Sequence, residues 1–263
     1  VESRLTAASV SIDSPESMRP FLTKSPTWDS ILLGRELASP DETPPAVSAL
    51  FPSAGHAVAR TGGPKGLASV MTFGPYGGFH GHFDKLSFVF FGCDQELGVD
   101  PGRSRSQAYR LPIHKNWYKA TIGHNAVLVD AQSQSPASGK LLLFDVQPTH
   151  TITIAQCDEA YEGVVHTRAM LQTEDYLLVF DDLVSEEEHR YDWFYHNRGG
   201  VAPLDVGQRI TDPEDNFVGM EYVQNVSRRR LQNEALRIAF AATGVINVLT
   251  LNSAEQTDVL TGD

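Results

Sequence analysis

From residue 46 onward, the chain alternates short apolar runs with clusters of turn-forming residues. The runs are rich in Val, Ile, Phe, Tyr and Thr, which are the residue types that favour β-strands. They predict strands at 67–73, 86–92, 125–129, 141–144, 150–157, 164–171, 176–180, 190–196, 236–242 and 245–251. Many short strands without intervening helices indicate an all-β domain, built as an antiparallel β-sandwich or as large twisted sheets.

The run 150–157 shows the clearest alternation of polar and apolar residues. Because successive side chains of a strand point to opposite faces, it predicts Ile152 and Ile154 facing the core, with Thr151 and Thr153 facing solvent. The glycine-rich segment 62–66 lacks the spacing and the helix of a phosphate-binding loop, and it predicts a hairpin turn instead.

Residues 1–45 have a different pattern. The segment 28–38, WDSILLGRELA, has helical spacing with Trp28, Ile31 and Leu32 on its apolar face, and a proline-rich stretch follows it. A lone helix cannot bury such a face, so we expect this segment to pack against another domain. The pattern predicts a helical leader at 1–45 and a β-domain at 46–263.

The charge distribution is uneven along the chain. A net charge of −12 argues against general nucleic-acid binding. The 29 residues between Asp100 and Asp130, however, contain no Asp or Glu. This stretch carries the basic residues Arg103, Arg105, Arg110, Lys115 and Lys119. Acidic neighbours in the fold could neutralise it, or it could bind a polyanionic ligand; its position between candidate metal ligands favours the second interpretation.

Membrane insertion and disulfide bonding both find little support in the sequence. No run approaches the ~20 apolar residues that a membrane-spanning helix needs. The two cysteines, Cys93 and Cys157, are predicted to be free thiols, because a pair in a chain of this size is more often free than bridged.

The segment HGHFD at 80–84 places three groups that can bind a metal or transfer a proton at every second position. If the following strand begins as early as His80, then His80, His82 and Asp84 share one face of it. Asp100 and His124 each lie at the end of a predicted β-run and could supply further ligands. The alternative is that His80 and His82 are hydrogen-bonded polar residues at a strand end.

Two other kinds of site fit the sequence less well. A cupin-type metal site needs a glutamate shortly after the histidine pair, and residues 83–90 contain none. A serine hydrolase would need a Gly-x-Ser-x-Gly elbow, which occurs nowhere in the chain.

Three segments occur in a specific order: FHGHFDKLSF at 79–88, VDPG at 99–102, and HNAVLVD at 124–130 followed by Gln134. Together they resemble the C-terminal β-domain of heparinase II/III-like polysaccharide lyases, over roughly residues 46–200. In that family an α/α toroid precedes an antiparallel β-sandwich, and the polysaccharide lies in the cleft between them. The resemblance implies that the leader is the end of such a toroid.

Carried over position by position, the resemblance implies that His80 faces the substrate cleft and is the candidate catalytic residue. The ligands of a buried, structural zinc ion correspond to His82, Asp100 and His124. The candidate substrate contacts are Arg103, Arg105 and Tyr109. Because His80 and His82 would share a face of a regular strand, their different roles require a bulge or bend between them.

The resemblance also implies a reaction, which is β-elimination on a uronate-containing acidic polysaccharide of the alginate or heparin/heparan sulfate type. In the family, the tyrosine that transfers the proton lies on the toroid. This chain alone is therefore expected to be inactive, with the toroid of the same protein as its partner. A periplasmic or secreted location is expected. The alternative is a non-catalytic, metal-stabilised β-module that binds acidic glycan or scaffolds a partner.

Overall fold

The computed structural model describes residues 47–63, 66–103, 111–201, 208–210, 218–232, 235–242, 245–252 and 256–262. The predicted leader at 1–45, with its helix at 28–38, lies outside the described residues, as do Arg105 and Tyr109. The division of the chain at residue 46 therefore stays a prediction.

The first sheet is an antiparallel meander whose strands follow one another in chain order. Its strands are β1 (Ala49–Phe51), β2 (His56–Thr61), β3 (Leu67–Thr72), β4 (Phe88–Gly92) and β5 (Gln95–Gly98). β2 and β3 are consecutive antiparallel strands, with Thr61 opposite Leu67, which confirms the predicted hairpin. Gly62 has a φ of +74°, in the left-handed region that favours glycine.

The second sheet is also antiparallel, in the order β10-β9-β8-β7. Its strands are β7 (Lys140–Val146), β8 (Thr151–Tyr161), β9 (Val164–Gln172) and β10 (Leu177–Ser185). In β8, Thr151 and Thr153 are buried, whereas Ile152 and Ile154 are only half-buried. The predicted alternation is correct for this strand, but the predicted direction of its two faces is wrong.

Hydrogen bonds explain why polar side chains occupy the inner face of the second sheet. The Thr151 and Ser48 hydroxyl oxygens lie 3.2 Å apart. The buried amide of Gln172 donates to the Thr61 hydroxyl at 3.1 Å and to the Leu67 carbonyl at 3.0 Å. A buried polar group is tolerated when it has such partners, and here the partners come from the first sheet and the chain beside it.

The two sheets pack against each other around one apolar core, which confirms the predicted β-sandwich. The first sheet contributes Met71, Phe88, Phe90 and Leu97, among others. The second sheet contributes Ala155, Cys157, Val164 and Met170.

The remaining strands form three smaller antiparallel groups. These are β6 (Val127–Val129) with β11 (Tyr191–Trp193); β12 (Gly200–Val201) with β15 (Ala235–Ala242) and β16 (Val245–Asn252); and β13 (Gln208–Ile210) with β14 (Ser227–Gln232) and β17 (Gln256–Thr261). Helix in the described ranges is confined to short segments, which include Gly78–His80, His114–Tyr118 with the two helical residues before it, Thr121–Gly123 and Met220–Tyr222. The predicted all-β class is therefore confirmed.

Two further predictions concern membrane-spanning helices and the state of the two cysteines. Among the described residues, no helix has the length and apolar character needed to cross a membrane. Cys93 is exposed, Cys157 is buried and both are free, as predicted. Burial raises the pKa of the Cys157 thiol, so it stays protonated in the core.

Candidate metal centre and adjoining surface

Residues 78–87 form a loop rather than the start of a strand. One 3-10 turn begins at Gly78 and ends at His80, and β4 begins only at Phe88. Glycine is the reason, because Gly78 has a φ of +62° and a Cβ on Gly81 would lie only 2.6 Å from a backbone nitrogen. The condition under which His80, His82 and Asp84 would share one face, a strand that begins at His80, is therefore not met.

Three side chains from two segments converge at this loop. His82 and Asp84 of the loop, and His124 just before β6, each bring one possible ligand atom within 4.8 Å of the other two. The ring centroids of His82 and His124 are 5.2 Å apart. His124 is 0 % exposed, and the other two residues are half-buried. Two histidines and a carboxylate at this spacing form a group that could hold a metal ion.

Asp100 contacts Nδ1, one of the two ring nitrogens of His124. Its Oδ2 lies 2.7 Å from His124 Nδ1, and its Oδ1 accepts the backbone N–H of Gly102 at 2.8 Å. An ionised carboxylate can only accept, so we assign the proton to Nδ1 and the lone pair to Nε2. That Nε2 atom is buried and has no hydrogen-bond partner among the described residues. An unpaired buried acceptor is costly, and its presence fits a nitrogen that binds a cation.

The electrostatics of the group favour the protonation states that a cation needs. Burial and the neighbouring His124 lower the pKa of His82, so its imidazole stays neutral. Burial alone would raise the pKa of Asp100, but the hydrogen bonds that it accepts from His124 and Gly102 help to outweigh burial, and the pKa is lowered. Neutral imidazole and ionised carboxylate are the metal-binding forms of these side chains.

The ammonium group of a buried lysine, Lys85, forms an ion pair with Asp84. The Lys85 side chain is 5 % exposed, and its Nζ donates to Asp84 Oδ1 at 2.8 Å. A metal ion bound to Asp84 would therefore share that carboxylate with an ammonium group. Asp100 pairs instead with a histidine, so the two carboxylates around His124 have different environments.

Two of the three predicted metal ligands, His82 and His124, lie in this group, whereas the third, Asp100, contacts His124 Nδ1 and is not a member of it. The group also contains Asp84, which the sequence pattern placed on the same face without assigning it to the metal. His80 is exposed and is not a member of the group. Of the predicted substrate contacts, Arg103 is described and exposed.

An exposed aromatic surface adjoins His80. Phe79 is 69 % exposed, and its ring meets the His80 ring edge-on at 5.2 Å between centroids. Lys119 Nζ donates to the Phe79 carbonyl at 3.0 Å and lies about 6 Å from the ring centroids of Tyr76, Phe79 and Phe83. This Phe79–Lys119 surface combines apolar ring faces with a cation, which suits an anionic, ring-shaped ligand.

Two buried amide side chains fix the backbone around the group. Both belong to the sequence motifs, but the sequence pattern predicted no role for them. Gln134 Oε1 accepts the Lys85 N–H at 2.7 Å, and its Nε2 donates to the Lys85 carbonyl at 2.9 Å. Asn125 Nδ2 donates to the carbonyls of Phe88 at 2.8 Å and Val99 at 3.1 Å. These bonds connect the loop that carries Asp84, the residue next to Asp100 and the residue after His124.

Gln134→Ala is expected to lower the free energy of unfolding by about 2–4 kcal/mol, because both polar backbone groups of Lys85 lose their partner. Urea denaturation measures this change. The matched control is Gln147→Ala, since Gln147 is exposed and its side-chain amide donates to the side chain of Asp145 at 2.9 Å. The control should change stability by less than about 0.5 kcal/mol, and equal losses in both variants would contradict the anchoring role.

The sequence of the chain is similar to a protein family and to two enzymes. Residues 43–259 match the family described as heparinase II/III-like, C-terminal. An alginate lyase of Stenotrophomonas maltophilia (strain K279a) is 32 % identical over 169 residues, which cover 56 % of this chain and 23 % of that protein. An exo-oligoalginate lyase of Saccharophagus degradans is 29 % identical over 107 residues, or 35 % of this chain and 14 % of that protein.

Solved structures share the fold. A heparinase III gene product has a TM-score of 0.56 and 16 % identity, covering 88 % of this chain and 37 % of its own. The heparan sulfate lyase from Pedobacter heparinus has a TM-score of 0.56 and 17 % identity, covering 83 % of this chain and 36 % of its own. The match spans less than a quarter of the length of either curated relative.

Proposed function

Because the chain belongs to the heparinase II/III-like C-terminal family, we propose that it is the β-domain of a polysaccharide lyase. The observation that carries the proposal is that both curated relatives are alginate-degrading lyases by name. The proposed reaction is β-elimination in a uronate-containing acidic polysaccharide of the alginate or heparan sulfate type. A periplasmic or secreted location is proposed, where such polymers are met.

β-Elimination in a uronate sets three chemical tasks. The C6 carboxylate must be neutralised so that the C5 proton becomes acidic, and a base must remove that proton. An acid must protonate the departing glycosidic oxygen. The C4–O bond breaks as a C4–C5 double bond forms, so the reaction consumes no water.

We assign the first task to basic groups of the stretch between Asp100 and Asp130. The exposed Arg103, together with Arg105, would pair with substrate carboxylates, and Tyr109 would be a further contact. Lys119 joins this set because its ammonium lies in the Phe79–Lys119 surface. The exposed His80 is the group of this chain proposed to assist proton transfer. The other acid and base are proposed to lie on a toroid domain of the same protein.

Lys119→Met is expected to weaken binding of a uronate trisaccharide by about tenfold or more, since it removes a charge-assisted hydrogen bond of roughly 1.5–3 kcal/mol. Calorimetric titration at low and high salt measures the loss, which should shrink as salt screens the charge. The double variant Arg103→Ala/Arg105→Ala is expected to behave in the same way. Lys115→Met is the control, because Lys115 is an exposed lysine of the same basic stretch. Equal loss in the control would mean that only net charge matters.

For the metal, we propose a structural Zn²⁺ held by His82, His124 and a carboxylate. The donor set suits zinc, and the ion would tie the 78–87 loop to the segment before β6. The family resemblance implies Asp100 as the third ligand. The 4.8 Å group favours Asp84 instead, with Asp100 then orienting His124 through Nδ1.

Two isosteric variants distinguish these arrangements. Asp100→Asn should weaken zinc binding at least about tenfold, because both the ligand and the orienting role need a carboxylate. Asp84→Asn decides between them: a loss as large as that of His82→Ala identifies a ligand, and near-unchanged affinity identifies Asp100 as the ligand. Competition with a chromogenic chelator measures the affinities, and circular dichroism checks the fold. Unchanged affinity in both variants would contradict the carboxylate ligand altogether.

Incubation of the intact protein with alginate, heparan sulfate, chondroitin and ulvan tests the proposed function. At least one polymer should give rising ultraviolet absorbance from an unsaturated uronate, and His80→Ala should slow this rise. If the protein binds zinc and acidic glycan without forming any such product, the result would favour the alternative function, which is a non-catalytic, metal-stabilised β-module.

A further inference from the structure

A buried arginine on the second sheet contacts both segments of the candidate metal group. Arg168 in β9 is 0 % exposed, and its Nη1 donates to the carbonyls of Leu86 and Asn125, each at 2.7 Å. Leu86 lies two residues after Asp84, and Asn125 directly follows His124. A single guanidinium nitrogen therefore joins the two segments that carry the possible ligands.

Arg168 is itself held in place by a carboxylate on the neighbouring strand. Asp181 of β10 lies directly opposite Arg168 in the sheet. Arg168 donates from Nε to Oδ1 at 2.7 Å and from Nη2 to Oδ2 at 2.9 Å. The same carboxylate contacts His166 Nε2 at 2.6 Å and accepts from Trp193 Nε1 at 3.0 Å. This paired geometry fixes the plane of the guanidinium and thus the direction of its remaining N–H groups.

The conformation of Leu86 shows why the contact matters for the loop. Leu86 is buried and has a φ of 61°, which is unfavourable for a residue with a side chain. Such a conformation persists only when the surroundings hold it. The Leu86 N–H donates to the Thr72 carbonyl at 2.8 Å, and its carbonyl accepts from Arg168. Both polar backbone groups of the strained residue are therefore held from outside the loop.

We propose that Arg168 is a positioning residue for the metal group, holding the Asp84 loop and the His124 segment at the spacing that one divalent ion requires. It acts through two backbone carbonyls and does not contact the ion. The inference rests on the proposed metal site. An arginine that only stabilised the core would affect stability while leaving the affinity for zinc unchanged.

Arg168→Lys tests the proposal, because lysine keeps the positive charge but has one nitrogen and cannot reproduce all four contacts. The expected result is zinc affinity weakened by about 10–100-fold, measured against a chromogenic chelator. Met170→Ala is the matched control, since Met170 is buried two residues along the same strand and lies in the apolar core. It should lower the melting temperature with and without zinc and leave zinc affinity unchanged.

A measurement on the wild-type protein makes the test independent of how well the variants fold. The amides of Leu86 and Ala126 should already resist hydrogen exchange in the zinc-free protein, because Arg168 orders both segments before zinc binds. Fast exchange that slows only after zinc is added would overturn the proposal, as would wild-type zinc affinity in Arg168→Lys. If the wild type binds no zinc, the metal site itself is wrong, and the positioning role is rejected with it.

Discussion

Replacing Asp181 with asparagine is expected to lower the free energy of unfolding by about 3–5 kcal/mol at neutral pH, because it leaves the buried charge of Arg168 without its partner. An asparagine amide also has only one acceptor oxygen, so it cannot replace both carboxylate oxygens that contact His166 and Trp193. Asp182→Asn is the matched control, since Asp182 is the next residue and is exposed on the outer face. Urea denaturation of the two variants should separate them clearly, and similar losses would contradict the buried-pair account.

The same carboxylate predicts a pH dependence. Burial alone would raise the pKa of Asp181, but Arg168 and His166 outweigh burial and hold it well below its ordinary value of about 4. An ionised carboxylate of lowered pKa contributes its full stabilisation above the unfolded value and loses it as the pH falls toward the folded one. The wild type should therefore lose stability below about pH 4, and Asp181→Asn should show a smaller slope there.

Replacing His124 with alanine is expected to abolish zinc-dependent stabilisation. For the wild type, zinc at one hundred times its dissociation constant should add about 2.7 kcal/mol to the free energy of unfolding. The variant should gain almost nothing, because it lacks the buried Nε2, which has no hydrogen-bond partner in the described part of the chain. Thermal unfolding with and without zinc measures this. His150→Ala is the control, since His150 lies outside the group, and a variant of His124 that keeps the zinc response would refute the proposed ligand.

The apolar runs were sufficient to locate most of the sandwich. Each predicted strand overlaps an observed one, whereas β1, β2, β5, β12, β13, β14 and β17 were not predicted. The face of the second sheet that meets the core could not be inferred from the sequence. Alternation defines two faces of a strand without saying which one is buried. Thr151, Arg168 and Gln172 face inward, and their partners lie far away in sequence, as in the 2.7 Å contact between Arg168 and the Leu86 carbonyl.

The candidate site was predicted in part. The motif residues His82 and His124 lie in one group that could hold a metal ion, but Asp100 contacts His124 from outside that group. A short helical turn, Gly78–His80, stands where a regular strand would have placed His80, His82 and Asp84 on one face. Local spacing could not show that Asp100 contacts Nδ1 of His124 while Asp84 lies near its ring, because this depends on how two loops pack. The supporting role of Gln134 likewise depends on a contact with Lys85, 49 positions away.

The mass of the reaction products tests the central claim most directly. The intact protein would be incubated with a defined uronate oligosaccharide and the fragments weighed. β-Elimination predicts one fragment with an unsaturated uronate at its non-reducing end, so that the fragment masses add up to that of the substrate with no water added. Fragments that together contain one added water would show hydrolysis, and they would contradict the assignment of this chain to a polysaccharide lyase.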